Sequence, residues 1–394
     1  DVGSGKTVVA FAACLMAKSG GRQSVIMAPT EVLARQHMKS FEELFFGVDI
    51  KASLLTGSLS AKEKNAVKKS FTEGESDVLI GTQAVLEENV SSENVGLVIT
   101  DEQHRFGVRQ RLNLKNKGNP VNMLLLTATP IPRTLSLVVY SDLDVSIIDE
   151  MPEGRIPVKT YCRRSDARQK VYAFAVNEIK SGHRVYVICP AVDDEDENKA
   201  SVKRMYEALS KNELKNVKCA ALYGAMKPKD KDNVMNKFAK GDIDVLISTT
   251  VVEVGVNVPE ATVMIVENAE RFGLAQLHQL RGRVGRGSDK SYCILISDSD
   301  SPTARARLEM LEKTNNGFEI AQEDMRLRGQ GEYFGLRQHG AQQFKYGELP
   351  RDAFLFQQAA SAAQLVEDDK EKYADFYNSA CETAQRLNAG IVFN

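Results

Sequence analysis

Short apolar runs alternate along the chain with longer amphipathic stretches. In the first half the runs cover residues 24–28, 77–81, 96–100 and 122–127, and an intervening stretch such as 31–45 has helical periodicity. After Pro157 the pattern begins again, with runs at 184–189, 217–222, 244–248, 262–266 and 291–296. Short buried strands that alternate with helices are typical of a parallel sheet covered by helices. We therefore predict an α/β fold with two parallel-sheet lobes.

The two halves also repeat each other at a fixed spacing. Nine residues recur 167 positions later: Leu55, Gly57, Phe71, Gly74, Asp77, Val78, Leu79, Ile80 and Thr82 match Leu222, Gly224, Phe238, Gly241, Asp244, Val245, Leu246, Ile247 and Thr249. Upstream the spacing is 161, where Pro29 matches Pro190 at the end of an apolar run. We infer a duplicated lobe with six residues inserted in the second copy (167 − 161), and we assign the acidic run 193–197 there to a solvated loop.

These patterns give three predicted domains. We place the first lobe at residues 1–150, the second at 151–300 and a helical C-terminal segment at 301–394. Residues 151–157 contain two prolines and a glycine, which favour a linker. Beyond about residue 298 the strand pattern stops, and the remainder predicts helices that are interrupted by a glycine-rich segment at 329–340 and end in a helical pair after Pro350.

Composition narrows the class of protein without identifying a partner. With 43% hydrophobic and 26% charged residues, the chain is typical of soluble globular proteins. Lys and Arg number 51 against 53 Asp and Glu, so any nucleic acid must be held by a local surface. The six cysteines form no C-x-x-C pair, which favours reduced, structural thiols in a cytoplasmic protein. No apolar stretch reaches the ~18 residues that a membrane span needs, so no membrane partner is expected.

The chain opens on a phosphate-binding sequence formed by Gly3, Ser4, Gly5, Lys6 and Thr7. It matches the end of G-x-x-x-x-G-K-[ST], in which glycines let backbone N–H groups turn around phosphates. We expect Lys6 to reach the β- and γ-phosphates of ATP and Thr7 to hold Mg²⁺. A chance glycine-rich turn is the alternative. The first glycine of the motif would precede residue 1, so the first lobe is expected to be truncated at its start.

A carboxylate pair stands at the end of the apolar run 96–100. We expect Asp101 to hold Mg²⁺ and Glu102 to orient and deprotonate the attacking water. A carboxylate pair after a strand is also a common helix N-cap. The phosphate-binding sequence elsewhere in the same lobe favours the catalytic interpretation.

Positive charge for the γ-phosphate is available in the second lobe. Gln279, Gly282, Arg283, Gly285 and Arg286 cluster there, and we expect the two arginines, three positions apart, to lie on one face of a helical turn. A solvated basic helix is the alternative. Two glycines in four residues are poor choices for a helix of that kind.

In the order and type of these segments the chain resembles helicase superfamily 2. Further matching segments are 28–31, 56–57, 81–83, 127–130, 222–224 and 249–259. The resemblance implies two RecA-like lobes that bind ATP and Mg²⁺ between them, with Gly255 among the nucleotide-binding residues. It also implies DNA-grasping or coupling roles for Pro29, Thr30, Thr56, Gly57, Gly81, Thr82, His104, Thr127, Thr129, Gly224, Thr249 and Thr250.

Within the superfamily the closest resemblance is to the RecG family of bacterial DNA helicases. It is carried by residues 101–108, 110–111, 142–146, 188–190 and 271–279. Gln103, Gln110 and Arg111 favour the RecG family over the related Mfd family. The resemblance implies an ATP-dependent helicase for branched double-stranded DNA that regresses stalled forks and migrates Holliday junctions. It further implies a monomer that is associated with the bacterial nucleoid, and a wedge domain upstream of this chain.

The tail carries the translocation motif that RecG and Mfd share. Residues 328–332 and 335–340 match it, although Gln330 stands where the RecG family more often has proline, which should change only the stiffness of the loop. The resemblance implies coupling roles for Arg307, Arg328 and Gln338. In the family, a helical hairpin and this loop convert lobe closure into movement along duplex DNA.

Two other functions are compatible with these residues. One is an Mfd-like translocase that displaces a stalled RNA polymerase, which would require a polymerase-binding domain upstream. The other is a DNA-binding module that uses ATP only as a structural ligand, which the complete set of acid, lysine and arginine argues against.

Overall fold

A computed structural model describes residues 1–86, 92, 94–101, 121–127, 144–152, 154–190, 195–249, 258–328 and 352–389. Within these ranges the first lobe is a parallel sheet in the order β2-β3-β1-β4-β5. Its strands are β1 (Gln23–Met27), β2 (Ala52–Leu55), β3 (Val78–Gly81), β4 (Val95–Asp101) and β5 (Asn122–Leu126). Its helices are α1 (Lys6–Ser19), α2 (Glu31–Leu44) and α3 (Ala61–Thr72), with a 3₁₀ turn at Gln83–Leu86.

The second lobe repeats this arrangement. Its parallel sheet has the order β6-β11-β10-β7-β9-β8. The strands are β6 (Lys159–Arg163), β7 (Arg184–Ile188), β8 (Cys219–Leu222), β9 (Val245–Ser248), β10 (Ala261–Val266) and β11 (Tyr292–Ile296). The helices are α4 (Arg168–Lys180), α5 (Glu195–Lys211), α6 (Pro228–Lys240) and α7 (Leu274–Arg281), with 3₁₀ turns at Ser165–Ala167 and Ala269–Arg271. The predicted pair of parallel α/β lobes is confirmed.

The repeat in the sequence is also a repeat in structure. Strands β2 and β3 fall on β8 and β9 at the spacing of 167, and β1 falls on β7 at 161. Gly74 and Gly241 each follow a helix. Their φ angles are 78° and 87°, a left-handed conformation that favours glycine. Asp77 accepts a hydrogen bond from the backbone of Lys51 at 2.7 Å, and Asp244 accepts the matching bond from Lys218 at 3.0 Å. The repeated residues thus preserve a helix end and a strand start.

Both faces of each sheet are covered, which explains why the strands are continuous apolar runs. In the first lobe Ile26, Ile80 and Ile99 pack with Phe11 and Phe41 on one face. The neighbouring residues Met27, Leu79 and Val98 pack with Leu55 and Phe71 on the other. The second lobe has the same two-sided core, with Tyr186, Leu246 and Met264 on one face and Val187, Ile247 and Ile265 on the other.

The remainder of the described chain is helical, as predicted. Helices α8 (Pro302–Lys313) and α9 (Gly317–Arg328) follow the second sheet, and α10 (Ala353–Asp368) and α11 (Ala374–Ala389) form the final pair. Both sheets, α1 to α8 and the start of α9 up to Ile320 belong to one compact unit; the rest of α9, α10 and α11 belong to a second. None of the helices among the described residues is long and apolar enough to cross a bilayer.

Candidate nucleotide site

The phosphate-binding sequence forms a loop that leads directly into α1. Gly3 and Gly5 have φ of 73° and 88°, and Gly5 is the N-cap residue of the helix. The first turn of α1 contains no acidic residue. No side-chain carboxylate of that turn therefore competes with a bound phosphate for the backbone N–H groups and the positive end of the helix dipole. This is the arrangement that an anionic phosphate requires.

Within the loop, Ser4 and Lys6 make local contacts. The Ser4 hydroxyl donates to the carbonyl of Asp1 at 3.0 Å, and Ser4 is buried. The Lys6 ammonium donates to the same carbonyl and lies 3.5 Å from the Ser4 Oγ. Thr7 is half-buried in the first turn of α1. A phosphate that binds Lys6 would therefore compete with the Asp1 carbonyl for its ammonium group.

Asp101 is the last residue of β4, at the carboxyl end of a strand next to β1. Its Oδ2 lies 3.2 Å from Nε2 of His37, which is buried on α2. A carboxylate can only accept, so the Nε2 atom carries the proton in this contact. The sequence did not indicate His37, because a single histidine among the apolar positions of α2 has the pattern of a core residue.

The position of the two second-lobe arginines corrects one prediction. Helix α7 ends at Arg281, and Gly285 has a φ of 73°, so Arg283 and Arg286 lie beyond the helix and not on one face of a helical turn. The Arg286 side chain folds back to donate to the carbonyl of Gly282 at 3.1 Å. Burial, and next the charge of Arg283, lower the pKa of Arg286 to about 10. An anion beside these arginines would relieve their mutual repulsion.

Arg155 is a site residue that the sequence does not indicate. Its guanidinium donates to the carbonyl of Val2 at 2.6 Å and lies so close to Gly3 that a Cβ there would be 2.0 Å from Nη1. Burial lowers the pKa of Arg155. The residue lies between two prolines, in the stretch that was assigned to a linker, and no local signal distinguishes it from a solvated arginine.

Gly282 also lies against the phosphate-binding loop. A Cβ added to Gly282 would come within 2.4 Å of a methyl group of Val2. The residue is the C-cap of α7 and has an ordinary helical φ of −67°. Its small size is therefore required by the neighbouring loop and not by its own backbone. Gln279, one turn earlier on α7, is half-buried.

Nine of the predicted DNA-grasping and coupling residues lie at the carboxyl ends of the strands. Ligands of open α/β sheets bind at this edge. After the strands of the first sheet come Pro29, Thr30, Thr56, Gly57, Thr82 and Thr127, with Gly81 as the last residue of β3; Gly224 and Thr249 follow β8 and β9.

Two of these positions have identifiable structural roles. Thr30 caps α2 by accepting from the backbone of Leu33 at 3.4 Å. Gly81 leaves no room for a side chain, because a Cβ would lie 2.1 Å from the carbonyl oxygen of Leu55. Farther along, Arg307 on α8 donates to the carbonyls of Glu270 and Phe272 at 3.2 and 3.3 Å, which attaches α8 to the segment before α7. Arg328 is the last residue of α9.

Several predicted site residues lie outside the described residues: Glu102, His104, Thr129, Thr250, Gly255 and Gln338. The side chain of Arg328 is outside them as well.

The residues that are described fit a nucleoside triphosphate with its metal. Two left-handed glycines and a helix N-terminus supply amide donors, and Lys6 supplies an ammonium group. The Thr7 hydroxyl and the Asp101 carboxylate are the hard oxygen ligands that Mg²⁺ prefers. The described part of the chain contains no separate group of three His, Cys, Asp or Glu side chains that could hold a metal ion.

Three family models match successive parts of the chain. One described as DEAD/DEAH box helicase matches residues 1–138, and one described as helicase conserved C-terminal domain matches residues 167–288. A third, described as ATP-dependent DNA helicase RecG, domain 3, C-terminal, matches residues 314–383. The order of the three agrees with the two sheets and the helical segment that follows them.

Among curated proteins the chain is similar to the ATP-dependent DNA helicase RecG of several bacteria. It is 44% identical to that of Bacillus subtilis over 374 residues, which are 94% of this chain and 54% of the relative. It is 43% identical to that of Synechocystis sp. over 397 residues, or 100% of this chain and 48% of the relative. The chain therefore spans about half the length of the curated relatives that it matches.

Solved structures agree with this similarity. The structure of RecG bound to a three-way DNA junction superposes with a TM-score of 0.75 at 45% identity, over 90% of this chain and 46% of that one. The Saccharomyces cerevisiae Dbp5 structure with RNA and ADP BeF3 has a TM-score of 0.60 at 16% identity, over 83% of this chain and 87% of that one. At 16% identity, the similarity to the Dbp5 structure shows a shared fold.

Proposed function

Because the chain belongs to the RecG family of ATP-dependent DNA helicases, we propose that it is the motor part of an ATP-driven translocase for branched double-stranded DNA. In the whole protein this motor would regress stalled forks and migrate Holliday junctions in recombination and repair. A wedge domain in the same polypeptide would split the junction, and the protein would act as a monomer at the bacterial nucleoid.

The observation that supports a motor most directly is the contact between the phosphate-binding loop and second-lobe residues. Arg155 and Gly282 both contact Val2, on the amino side of Gly3. Nucleotide bound at this loop therefore acts on both lobes at once. A module that used ATP only as a structural ligand would not need Arg155 and Gly282 to contact the loop.

Each residue of the site has a defined task in this proposal. The loop amides and Lys6 bind the phosphates, and Thr7 and Asp101 hold Mg²⁺, which neutralises phosphate charge when it is bound. Glu102 orients the attacking water. Arg283 and Arg286 stabilise the negative charge that develops at the γ-phosphate, with Gln279 and Gly255 beside the nucleotide.

DNA would be held at the carboxyl edge of the sheets. Backbone amides and hydroxyls at strand ends contact phosphates without distinguishing bases, as a motor that moves along any sequence requires. Helices α8 and α9, which carry Arg307 and Arg328, would transmit lobe movement to the DNA. The similarity of residues 314–383 to a RecG domain supports this assignment over an Mfd-like translocase.

The test is DNA-stimulated ATP hydrolysis by the intact protein. Lys6→Ala and Glu102→Gln should each reduce turnover by at least about a hundredfold, because electrostatic stabilisation and general-base catalysis contribute factors of this size. Unchanged turnover in both variants would exclude the motor. Arg328→Ala should retain ATP hydrolysis and lose fork unwinding; simultaneous loss of both would indicate that Arg328 is needed for folding.

A further inference from the structure

A buried carboxylate connects the phosphate-binding loop to two separate segments of the second lobe. The Asp1 side chain is 8% exposed. Its Oδ1 accepts from Nε2 of His278 at 2.6 Å, and its Oδ2 accepts from the backbone of Gly317 at 3.0 Å. His278 lies on α7, and Gly317 is the first residue of α9. One carboxylate thus contacts both α7 and the start of α9.

The orientation of His278 is determined by a second contact. Nη2 of Arg281 lies 2.9 Å from Nδ1 of the ring, and a guanidinium can only donate. Nδ1 is therefore the acceptor, and the single ring proton of neutral imidazole lies on Nε2, directed at Asp1. Burial, followed by the charge of Arg281, lowers the pKa of His278 to about 3, which agrees with a neutral ring.

Arg281 extends the connection to the end of α8. It is buried, and its Nη1 donates to the carbonyls of Leu311 and Thr314, both at 2.9 Å. These carbonyls belong to the last turn of α8 and to the turn at residues 314–316 that precedes α9. A cation at a helix C-terminus is also favoured by the helix dipole.

The same loop residue takes part in phosphate binding through its backbone. The Asp1 carbonyl accepts from Lys6 and from Ser4, both of which belong to the phosphate-binding loop. Nucleotide phosphates compete for the Lys6 ammonium, so binding changes the hydrogen bonds of Asp1. Because the Asp1 carboxylate is held by the second lobe, a displacement of its backbone must alter the contacts to His278 and Gly317.

We propose that Asp1, His278 and Arg281 form a relay of positioning residues through which occupancy of the phosphate-binding loop is transmitted to the end of α8 and the start of α9. The inference deepens the proposed function, since it supplies a path between ATP and the segment that would move DNA. The path does not use Arg283 or Arg286, so it would act in addition to their contact with the γ-phosphate.

The first experiment measures ATP hydrolysis by the intact protein with and without duplex DNA. His278→Ala should reduce the ratio of DNA-stimulated to DNA-free kcat by about fivefold or more, the lower range of typical coupling between sites. His278→Gln should retain most of the ratio, because its amide offers a donor and an acceptor at similar positions. His183→Ala is the matched control: His183 contacts Glu178 at 2.9 Å at the amino end of β7 and should leave the ratio unchanged.

The second experiment does not involve DNA. A non-hydrolysable ATP analogue with Mg²⁺ should change hydrogen exchange of residues 314–320 in the wild-type protein and in His278→Gln, but not in His278→Ala. If His278→Ala does not fold, Asp1→Asn replaces it, because the amide preserves the shape and removes the charge.

The results separate the relay from the proposed function. Equal ratios in all His278 variants, or an equal response of residues 314–320 in them, would overturn the relay and leave the motor intact. If DNA did not stimulate ATP hydrolysis by the wild-type protein, the proposed function would be overturned. The hydrogen-exchange experiment, which uses no DNA, would still test the relay. The relay would also be overturned if His278→Gln lost as much of the kcat ratio as His278→Ala. Loss of structure alone would then explain both variants.

Discussion

The Nε2 atom of His37 lies 3.2 Å from Oδ2 of Asp101, the carboxylate that we assign to Mg²⁺. The contact joins helix α2 to the end of strand β4. His37 also packs edge-on against Phe11 of α1, with ring centroids 6.2 Å apart, so its position is fixed by two elements of the lobe. The imidazole thereby orients the carboxylate at the end of the strand.

We expect His37→Ala to weaken Mg²⁺ use. Loss of a group that orients a metal ligand costs about 10- to 100-fold in metal affinity or activity. The Mg²⁺ concentration that gives half-maximal ATP hydrolysis should rise by about tenfold or more, with a smaller change for His37→Gln, which keeps a donor near Nε2. Equal Mg²⁺ dependence of the alanine variant and the wild type would show that Asp101 is oriented without His37.

Arg155→Ala should raise KM for ATP. The guanidinium places positive charge beside Gly3, and a hydrogen bond from a charged group contributes about 1.5 to 3 kcal/mol, which corresponds to roughly tenfold or more in affinity. Arg163→Ala is a suitable control, because that side chain is 45% exposed on strand β6. The measurement is the steady-state KM for ATP of both variants, which should rise in Arg155→Ala and stay unchanged in Arg163→Ala. An equal change in the two would indicate a general effect of charge.

The pH dependence of stability should reveal His278. Its pKa falls from an ordinary value of about 6.5 in the unfolded chain to about 3 in the fold, so the unfolded state takes up the proton first as the pH decreases. The stabilising contribution is fully present above about pH 6.5 and is lost progressively below it. Between pH 6.5 and 5.0 the loss amounts to about 2 kcal/mol at 1.36 kcal/mol per pH unit.

Denaturant unfolding of the wild type and of His278→Gln measures this effect. The difference in their free energies of unfolding should decrease by this amount over the same pH range, because the variant lacks the titrating group. Other histidines and carboxylates are common to both proteins and cancel in the comparison. Parallel pH profiles would mean that the pKa of His278 is the same in the folded and the unfolded protein.

Gly74→Ala and Gly241→Ala test the duplicated helix ends. Each residue has a left-handed φ, at which an alanine costs about 1 kcal/mol or more. A Cβ at Gly74 would meet no atom within 4 Å, whereas one at Gly241 would lie 3.0 Å from a guanidinium nitrogen of Arg184. Thermal unfolding should show a loss of stability in both variants and a larger one for Gly241→Ala. A neutral Gly74→Ala would contradict the role of φ.

The sequence predicted the elements whose residues are buried on both faces. Strands β1, β3, β4 and β9 are continuous apolar runs, and their positions were predicted to within one or two residues. Strands β2 and β6 were missed: β2 is short and half-buried, and β6 has exposed charged residues at both ends. Edge position alone does not explain the two misses, because the edge strands β5 and β8 were predicted. The spacing of 167 maps the predicted strand β8 onto β2, so the repeat itself contained the missing signal.

The candidate site was predictable only where a local motif defines it. The loop at Gly3 to Thr7 and the carboxylate Asp101 follow from short sequence patterns. The contacts of Arg155 and His278 join residues 153 and 277 positions apart, and nothing in their immediate sequence indicates a partner. For Arg283 and Arg286, the spacing suggested a helix, but α7 ends at Arg281, and the left-handed Gly285 lies between the two arginines.

The paired hydrogen bonds of Asp77 and Asp244 have a consequence for how this chain can vary. Each aspartate fixes the start of a neighbouring strand in its own lobe, and each follows a left-handed glycine three residues earlier. In both lobes, therefore, a helix, a glycine, an aspartate and a strand follow one another at the same spacing. Exchanging residues 61–81 with 228–248 would keep each glycine three residues before its aspartate, because the two segments have the same length.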